Sequence, residues 1–273
     1  MRKWLYRLAL SAFVLITAVA GFNIISGLVM YRQNAAVTKE AEEKFTHSDI
    51  PEKDRSGAKI NRWQAKEADE PPQEKVDYYS APEFTVDFDS LTAINSDVTG
   101  WIWMRDSNIN MPVLMGDSNT DYIYTTYTGK RNSLGSIFAD YRSEADDFSC
   151  RNTVLYGHNG KNGAMFGDLR HMTENSYYRE HPCFYIFTPD GNISRYIIYS
   201  AYITTNDSRS YTFLFDDKGF GEYIDYTTAQ SFIDTDTAPQ ATDTIVTLST
   251  CTNAGEDDRY IVHGYKDKSF DNS

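Results

Sequence analysis

Apolar positions along the chain change their spacing twice. Leu8–Tyr31 is a 24-residue stretch without a charged side chain. At about 1.5 Å per residue it makes about 36 Å of helix, enough to cross a hydrocarbon core of about 30 Å with some tilt. Arg32–Asp77 then carries nine Lys/Arg and eleven Asp/Glu in 46 residues, with few large apolar side chains. Ala35–Phe45 has the makeup of a charged helix, while Pro51, Gly57 and Pro71-Pro72 interrupt the residues after it. A solvated stalk is predicted there. Within it, Ile60–Ala68, around Trp63, is expected to form a helix packed on the domain beyond.

From Tyr78 the apolar runs become short and turn residues separate them. Phe88–Ile94 has helical spacing; Trp101–Trp103 and Ile109–Leu114 read as strands around the polar turn Asp106-Ser107-Asn108. Asp117–Tyr124 reads as a turn or short helix. Leu134–Ala139 and Val154–Tyr156 are further strands, and Ala164–Met172 and Glu174–Glu180 suit short helices. Cys183–Thr188 and Ile193–Thr204 alternate across Pro189-Asp190-Gly191-Asn192, a hairpin signal. About forty residues then intervene, too many for a simple turn, and Phe220–Ile233 in them makes an amphipathic helix. Thr244–Leu248 is a β-branched run, and Arg259–Val262 starts the last strand. Short strands outnumber helices, which fits a closed β-barrel with peripheral helices; pattern alone does not separate barrel from sandwich.

Composition sharpens this picture. A length of 273 residues suits one sizeable domain plus an appendage. A formal charge of −13 argues against a nucleic-acid partner. Arg2, Lys3 and Arg7 precede the apolar stretch, which places the N-terminus in the cytoplasm and the rest of the chain outside. Ala18-Val19-Ala20 resembles a signal-peptidase site, but the apolar run continues through Met30, so an uncleaved anchor is expected. The expected organisation is 1–31 cytoplasmic tip and transmembrane anchor, 32–77 stalk, and 78–273 folded domain.

The candidate chemistry lies at strand ends. Ser249-Thr250-Cys251 closes one strand and Arg259 opens the next, so neighbouring strands can set a thiol beside a cation. A thiolate attacks carbonyls, and a fixed guanidinium stabilises an oxyanion. Upstream, Asn152–Asn159 reads NTVLYGHN, a strand and a Gly hinge with His158 at its tip. TLSTC with Arg259 beyond it, YGHN, and GSIFADYR over Gly135–Arg142 resemble a sortase, and most of all the class B branch, over roughly Leu91–Lys266.

The resemblance implies an eight-stranded sortase barrel, a helix-bearing insertion before the cysteine strand, and a cysteine transpeptidase. Such enzymes cleave a C-terminal sorting signal after Thr, hold a thioester, and pass it to an amine of the cell-wall precursor or of a pilin lysine. His158, Cys251 and Arg259 match the catalytic positions. Tyr223, Ile224, Ser249 and Thr252, with Tyr122, are implied as peptide contacts. The expected partners are surface proteins bearing sorting signals, the amine acceptor and the membrane. An exported cysteine peptidase and a non-enzymatic surface-binding domain are the alternative readings.

Other candidates carry less. His263 is expected to face the barrel, and His47, His171 and His181 fall in the stalk, short helices or loops. Cys150 and Cys183 are either an exported disulfide or two separate thiols. No paired Cys/His spacing for zinc is present, and Asp140, Asp146, Asp147, Glu256, Asp257 and Asp258 lack EF-hand spacing, so neither metal nor other cofactor is expected. Glycine patterns for nucleotides are missing too.

Overall fold

The computed structural model describes residues 2–47, 77–143, 147–252, 255 and 257–271. Its first element is a single helix, α1 (Arg2–Phe45). Two residues of strand come next, β1 (Thr46–His47), paired with β2 (Thr85–Val86). After the short α2 (Phe88–Thr92) come β3 (Val98–Trp103), β4 (Asn110–Leu114), β5 (Ile137–Ala139) and β6 (Asn152–Tyr156). Next are α3 (Asn175–Glu180), β7 (Cys183–Phe187), β8 (Asn192–Thr205), α4 (Asp217–Ala229), β9 (Ile245–Cys251) and β10 (Asp258–Asp271).

Among the described residues eight strands close a barrel in the order β10-β8-β7-β3-β4-β5-β6-β9. The residue pattern left sandwich and barrel open; the closing pairs β6–β9 and β9–β10 decide it. Pairs β4–β5 and β6–β9 are parallel and the others antiparallel. Val113, Ile137, Leu155, Ile186, Leu248 and Val262 fill the interior, each shielded completely from solvent.

Two further apolar clusters lie on the outside of the strands. One is covered by the end of α1, where Ala41 and Phe45 pack with Leu91, Trp101 and Tyr127. Phe45 meets the Tyr127 ring edge-on at 5.9 Å, and its carbonyl accepts from the Asp87 amide at 2.8 Å. The region expected to be solvated stalk thus begins with a helix docked on the barrel. The other cluster sits beneath α4, where Phe220, Tyr223 and Ile224 cover Tyr199 and Ile245.

The expected N-terminal transmembrane helix is not supported. Helix α1 runs without a break from the apolar stretch into Arg32–Lys44. Leu10, Phe13, Val14, Leu15, Ile16 and Val19 are exposed on it. Among the described residues, however, no helix is long and apolar enough to cross a membrane, so the expected transmembrane span is not found there. The helix expected around Trp63 lies outside the described residues.

Two other elements shift for local reasons. The amphipathic helix starts at Asp217 rather than Phe220 because Asp216 caps it, its carboxylate accepting from the Gly219 amide at 2.6 Å. It stops at Ala229, before the expected Ile233, and the Phe232 amide instead donates to Ala201 on β8 at 2.8 Å. The expected helix over Ala164–Met172 shrinks to a 3-10 turn at Gly167–His171. Its leading residues are tied to the loop after β6: the Phe166 amide donates to the His158 carbonyl at 3.1 Å.

Candidate active site

Register brings the three separated residues together. In the parallel pair of β6 and β9, Tyr156 lies opposite Ser249, and the Gly157 amide extends the ladder to the Ser249 carbonyl at 3.2 Å. Two positions beyond Tyr156 is His158; two beyond Ser249 is Cys251. Asn159 confirms the proximity, donating from Nδ2 to the Cys251 carbonyl at 2.9 Å. On the other side, Cys251 and Arg259 are direct partners in the antiparallel ladder of β9 and β10. The hairpin joining them is tightened by Thr252, whose amide donates to the Asp258 carbonyl at 2.9 Å.

Alternation then fixes which way the thiol faces. Val246 and Leu248 of β9 belong to the barrel interior, so Thr247, Ser249 and Cys251 lie on the outer face. Cys251 is exposed at the strand end, and Arg259 is half-buried beside it. The guanidinium of Arg259 donates to the Asp258 carbonyl at 3.0 Å, which restrains it near the rim.

His158 is oriented by backbone. Its Nε2 lies 2.9 Å from the carbonyl oxygen of Ile123. A carbonyl only accepts, so Nε2 carries the proton and donates, leaving Nδ1 as the second nitrogen of the ring. The Tyr124 ring packs on the imidazole at 5.6 Å, and the Arg131 guanidinium lies over the Tyr124 ring at 5.9 Å. Gly157, the hinge before His158, packs so closely that a Cβ there would lie 2.8 Å from the Phe166 ring.

The residues expected to contact peptide separate into two groups. Ser249 and Thr252 flank Cys251, as expected from their sequence position, though both are largely buried. Tyr122, Tyr223 and Ile224 are packed inside. The Tyr122 hydroxyl donates to Asp97 at 2.6 Å, and burial, reinforced by that carboxylate, pushes its pKa up to about 12. Tyr223 donates to the Ser210 carbonyl at 3.0 Å beneath α4, and Ile224 joins the same cluster. The side chains of Tyr223 and Ile224 complete the core where the amphipathic face of α4 meets the barrel.

Tyr211, by contrast, carries no signal in the sequence. It lies in a 3-10 turn at Arg209–Tyr211, its hydroxyl 2.9 Å from Ser249 Oγ and its ring stacked on Tyr156 at 6.1 Å. Burial raises the pKa of its phenol, and the Arg259 charge acts in the opposite direction. No periodicity marks an isolated tyrosine in a connection. Asn159 and the Ile123 carbonyl are equally hidden, since the first needs the β6–β9 register and the second has no side-chain signal.

Remaining candidates fall into place. His263 does not face the barrel interior: opposite Thr247, it shares the outer face with Cys251 and is sealed there beneath α4. No disulfide joins Cys150 to Cys183, whose thiol donates to the Tyr78 carbonyl at 3.4 Å. Asp140 is buried against Arg142, with Tyr156 donating to it at 2.8 Å and Asn119 at 2.9 Å. Among the described residues no cluster of three His, Cys, Asp or Glu side chains could hold a metal.

The arrangement can therefore perform acyl transfer at a thiol, with a cation and an imidazole alongside. A Sortase domain profile matches residues 104–267. Sortase B of Staphylococcus aureus is 35% identical over 170 residues, spanning 61% of this chain and 68% of that one. Sortase B of Listeria monocytogenes is 33% identical over 164 residues, spanning 59% of this chain and 65% of that one. The solved Staphylococcus aureus sortase B–substrate complex superposes with a TM-score of 0.62 at 33% identity, covering 66% of this chain and 84% of that structure. With the closed barrel, the TLSTC strand and these likenesses in agreement, the chain belongs to the sortase family, in its class B branch, and is a cysteine transpeptidase of the cell wall.

Proposed function

We propose that Cys251, His158 and Arg259 carry the transpeptidation. The Cys251 thiolate attacks the carbonyl carbon of Thr in a C-terminal sorting signal, and Arg259 donates to the oxyanion. As the C–N bond breaks, His158 protonates the leaving amine, and a thioester remains on Sγ. An incoming amine, of the cell-wall precursor or of a pilin lysine, loses a proton to His158 and displaces the thiolate, forming a new peptide bond. The observation that carries this reading is the convergence of an exposed strand-end thiol, its cross-strand arginine and the histidine two positions past the parallel partner of Ser249.

We further propose that the enzyme is held at the outer surface of the cell membrane, N-terminus inside. Support comes from the uncharged run Leu8–Tyr31 behind three basic residues and from the exposure of apolar side chains along α1. Retention of the full chain, but not of residues 32–273, by liposomes is the expected result; retention of both would refute it.

The test of the chemistry uses the full chain with a library of fluorescent sorting peptides and triglycine as acceptor. Cys251→Ala is expected to yield no ligated product while keeping the wild-type circular dichroism spectrum. Ligation by the folded variant would remove Cys251 from the mechanism. Hydrolysis in place of ligation, with triglycine present, would make the chain a peptidase.

A further inference from the structure

Four residues along the same outer face from Cys251 lies a sealed polar ring centred on His263. The imidazole is fully buried, with Nδ1 2.8 Å from Thr247 Oγ1 and Nε2 2.9 Å from the Tyr202 hydroxyl. Each proton in the ring can be assigned. Thr247 has one hydroxyl hydrogen and gives it to Asn152 Oδ1 at 2.7 Å, an oxygen that can only accept. Thr247 must then accept from His263, so Nδ1 carries the imidazole proton. Nε2 is left as an acceptor, and Tyr202 donates to it. Tyr202 in turn accepts from Ser210 Oγ at 2.7 Å, and Ser210 accepts from Ser208 Oγ at 2.9 Å.

The ring closes on the turn that carries Tyr211. Asn152 Nδ2 donates to the Thr212 carbonyl at 2.9 Å, so Ser210 is gripped through its side chain and Thr212 through its backbone. Between them Tyr211 reaches Ser249, two residues before Cys251. We propose that His263 is a positioning residue for transpeptidation: with its proton on Nδ1 it sets the direction of a hydrogen-bond ring that seats Tyr211 against the cysteine strand. This rests on the reading of Cys251 as the nucleophile.

A neutral imidazole is suited to the place because it offers one donor and one acceptor on opposite sides of a rigid ring. A second proton would put an N–H against Tyr202, which already accepts from Ser210, and would leave the Tyr202 hydrogen without its acceptor. The titratable groups facing His263 are all phenols: Tyr199 and Tyr202 from β8 and Tyr223 from α4. Burial alone lowers the pKa of the imidazole, to about 3, which keeps the ring in this form at neutral pH.

Two measurements on the full chain test the proposal. Nitrogen-15 NMR of the imidazoles at neutral pH should show His263 with a protected proton on Nδ1 and a bare Nε2; an Nε2–H or doubly protonated ring would overturn it. Tyr202→Phe and Ser210→Ala each remove one hydroxyl and leave the three proposed catalytic side chains intact. Using a fluorogenic peptide selected from the sorting library, with triglycine, each should lower kcat/KM about fivefold to tenfold, the worth of one hydrogen bond. The double variant should lose no more than either single one, since both cut the same ring. Rates are taken below the thermal transition of each variant. A lowered Tm with unchanged kcat/KM would make the ring merely structural and overturn the positioning role. Absence of ligation by the wild type, or ligation by Cys251→Ala, would defeat the catalytic reading instead, while the NMR result would still judge the ring.

Discussion

Acid should destabilise this protein partly through His263, and the size of the effect comes from its burial. In the folded chain desolvation lowers the imidazole pKa from 6.5 to about 3. In the unfolded chain it returns to about 6.5. As pH falls, the unfolded state therefore takes the proton first. The contribution of His263 to stability is intact above about pH 6.5, declines down to about pH 3, and levels off below that. With about 1.36 kcal/mol per pH unit, the loss is about 2 kcal/mol at about pH 5 and approaches about 5 kcal/mol at about pH 3. Urea denaturation of the wild type and of His263→Gln, at about pH 7.5 and about pH 5 and at fixed ionic strength, isolates this contribution. Carboxylates titrate in both chains, whereas the glutamine side chain does not titrate at all. The wild type should lose about 2 kcal/mol more than the variant between the two pH values. Equal losses would refute the reasoning, because they would mean that the imidazole is no harder to protonate in the fold than in the open chain.

Three further outcomes are expected. Arg259→Lys keeps a charge but loses the planar fork, and should lower kcat for transpeptidation about a hundredfold with a smaller change in KM; an unchanged kcat would exclude Arg259 from oxyanion binding. Phe45→Ala empties a fully buried site where α1 meets the barrel and should cost about 3–5 kcal/mol in urea unfolding, against almost nothing if this part of α1 were an undocked stalk. Iodoacetamide should label exposed Cys251 first, while buried Cys183, whose pKa burial pushes up to about 11, should react only after denaturation; early labelling of Cys183 would contradict its packing.

Much of the site was legible because its chemistry sits in local motifs. TLSTC, YGHN and the arginine after the loop supply the thiol, the imidazole and the cation of the proposed mechanism, and the strand-forming runs before Cys251 and His158 place both at strand ends. The same local logic predicted the hairpin at Asp190-Gly191, where Gly191 adopts φ +88°. The inserted helix was foreseen from its apolar spacing, but not its start, because capping by Asp216 is a matter of one side chain meeting one amide.

The chain's order of residues determined, then, which side chains have reactive chemistry and which segments alternate or repeat like strands and helices. Tertiary structure decided everything that depends on register and on which face an element covers. Tyr223 and Ile224 look equally suited to a groove or a core, and only the seating of α4 on Tyr199 and Ile245 makes them core. His263 and Cys251 share one face of the same two strands, yet α4 seals the first while the strand end leaves the second open. The physical reason is that periodicity records whether a position is apolar or polar, whereas the site also rests on pairings between residues far apart in sequence, such as the Asn152–Thr247 bond and the approach of His158 to Cys251, which exist only once the barrel has closed.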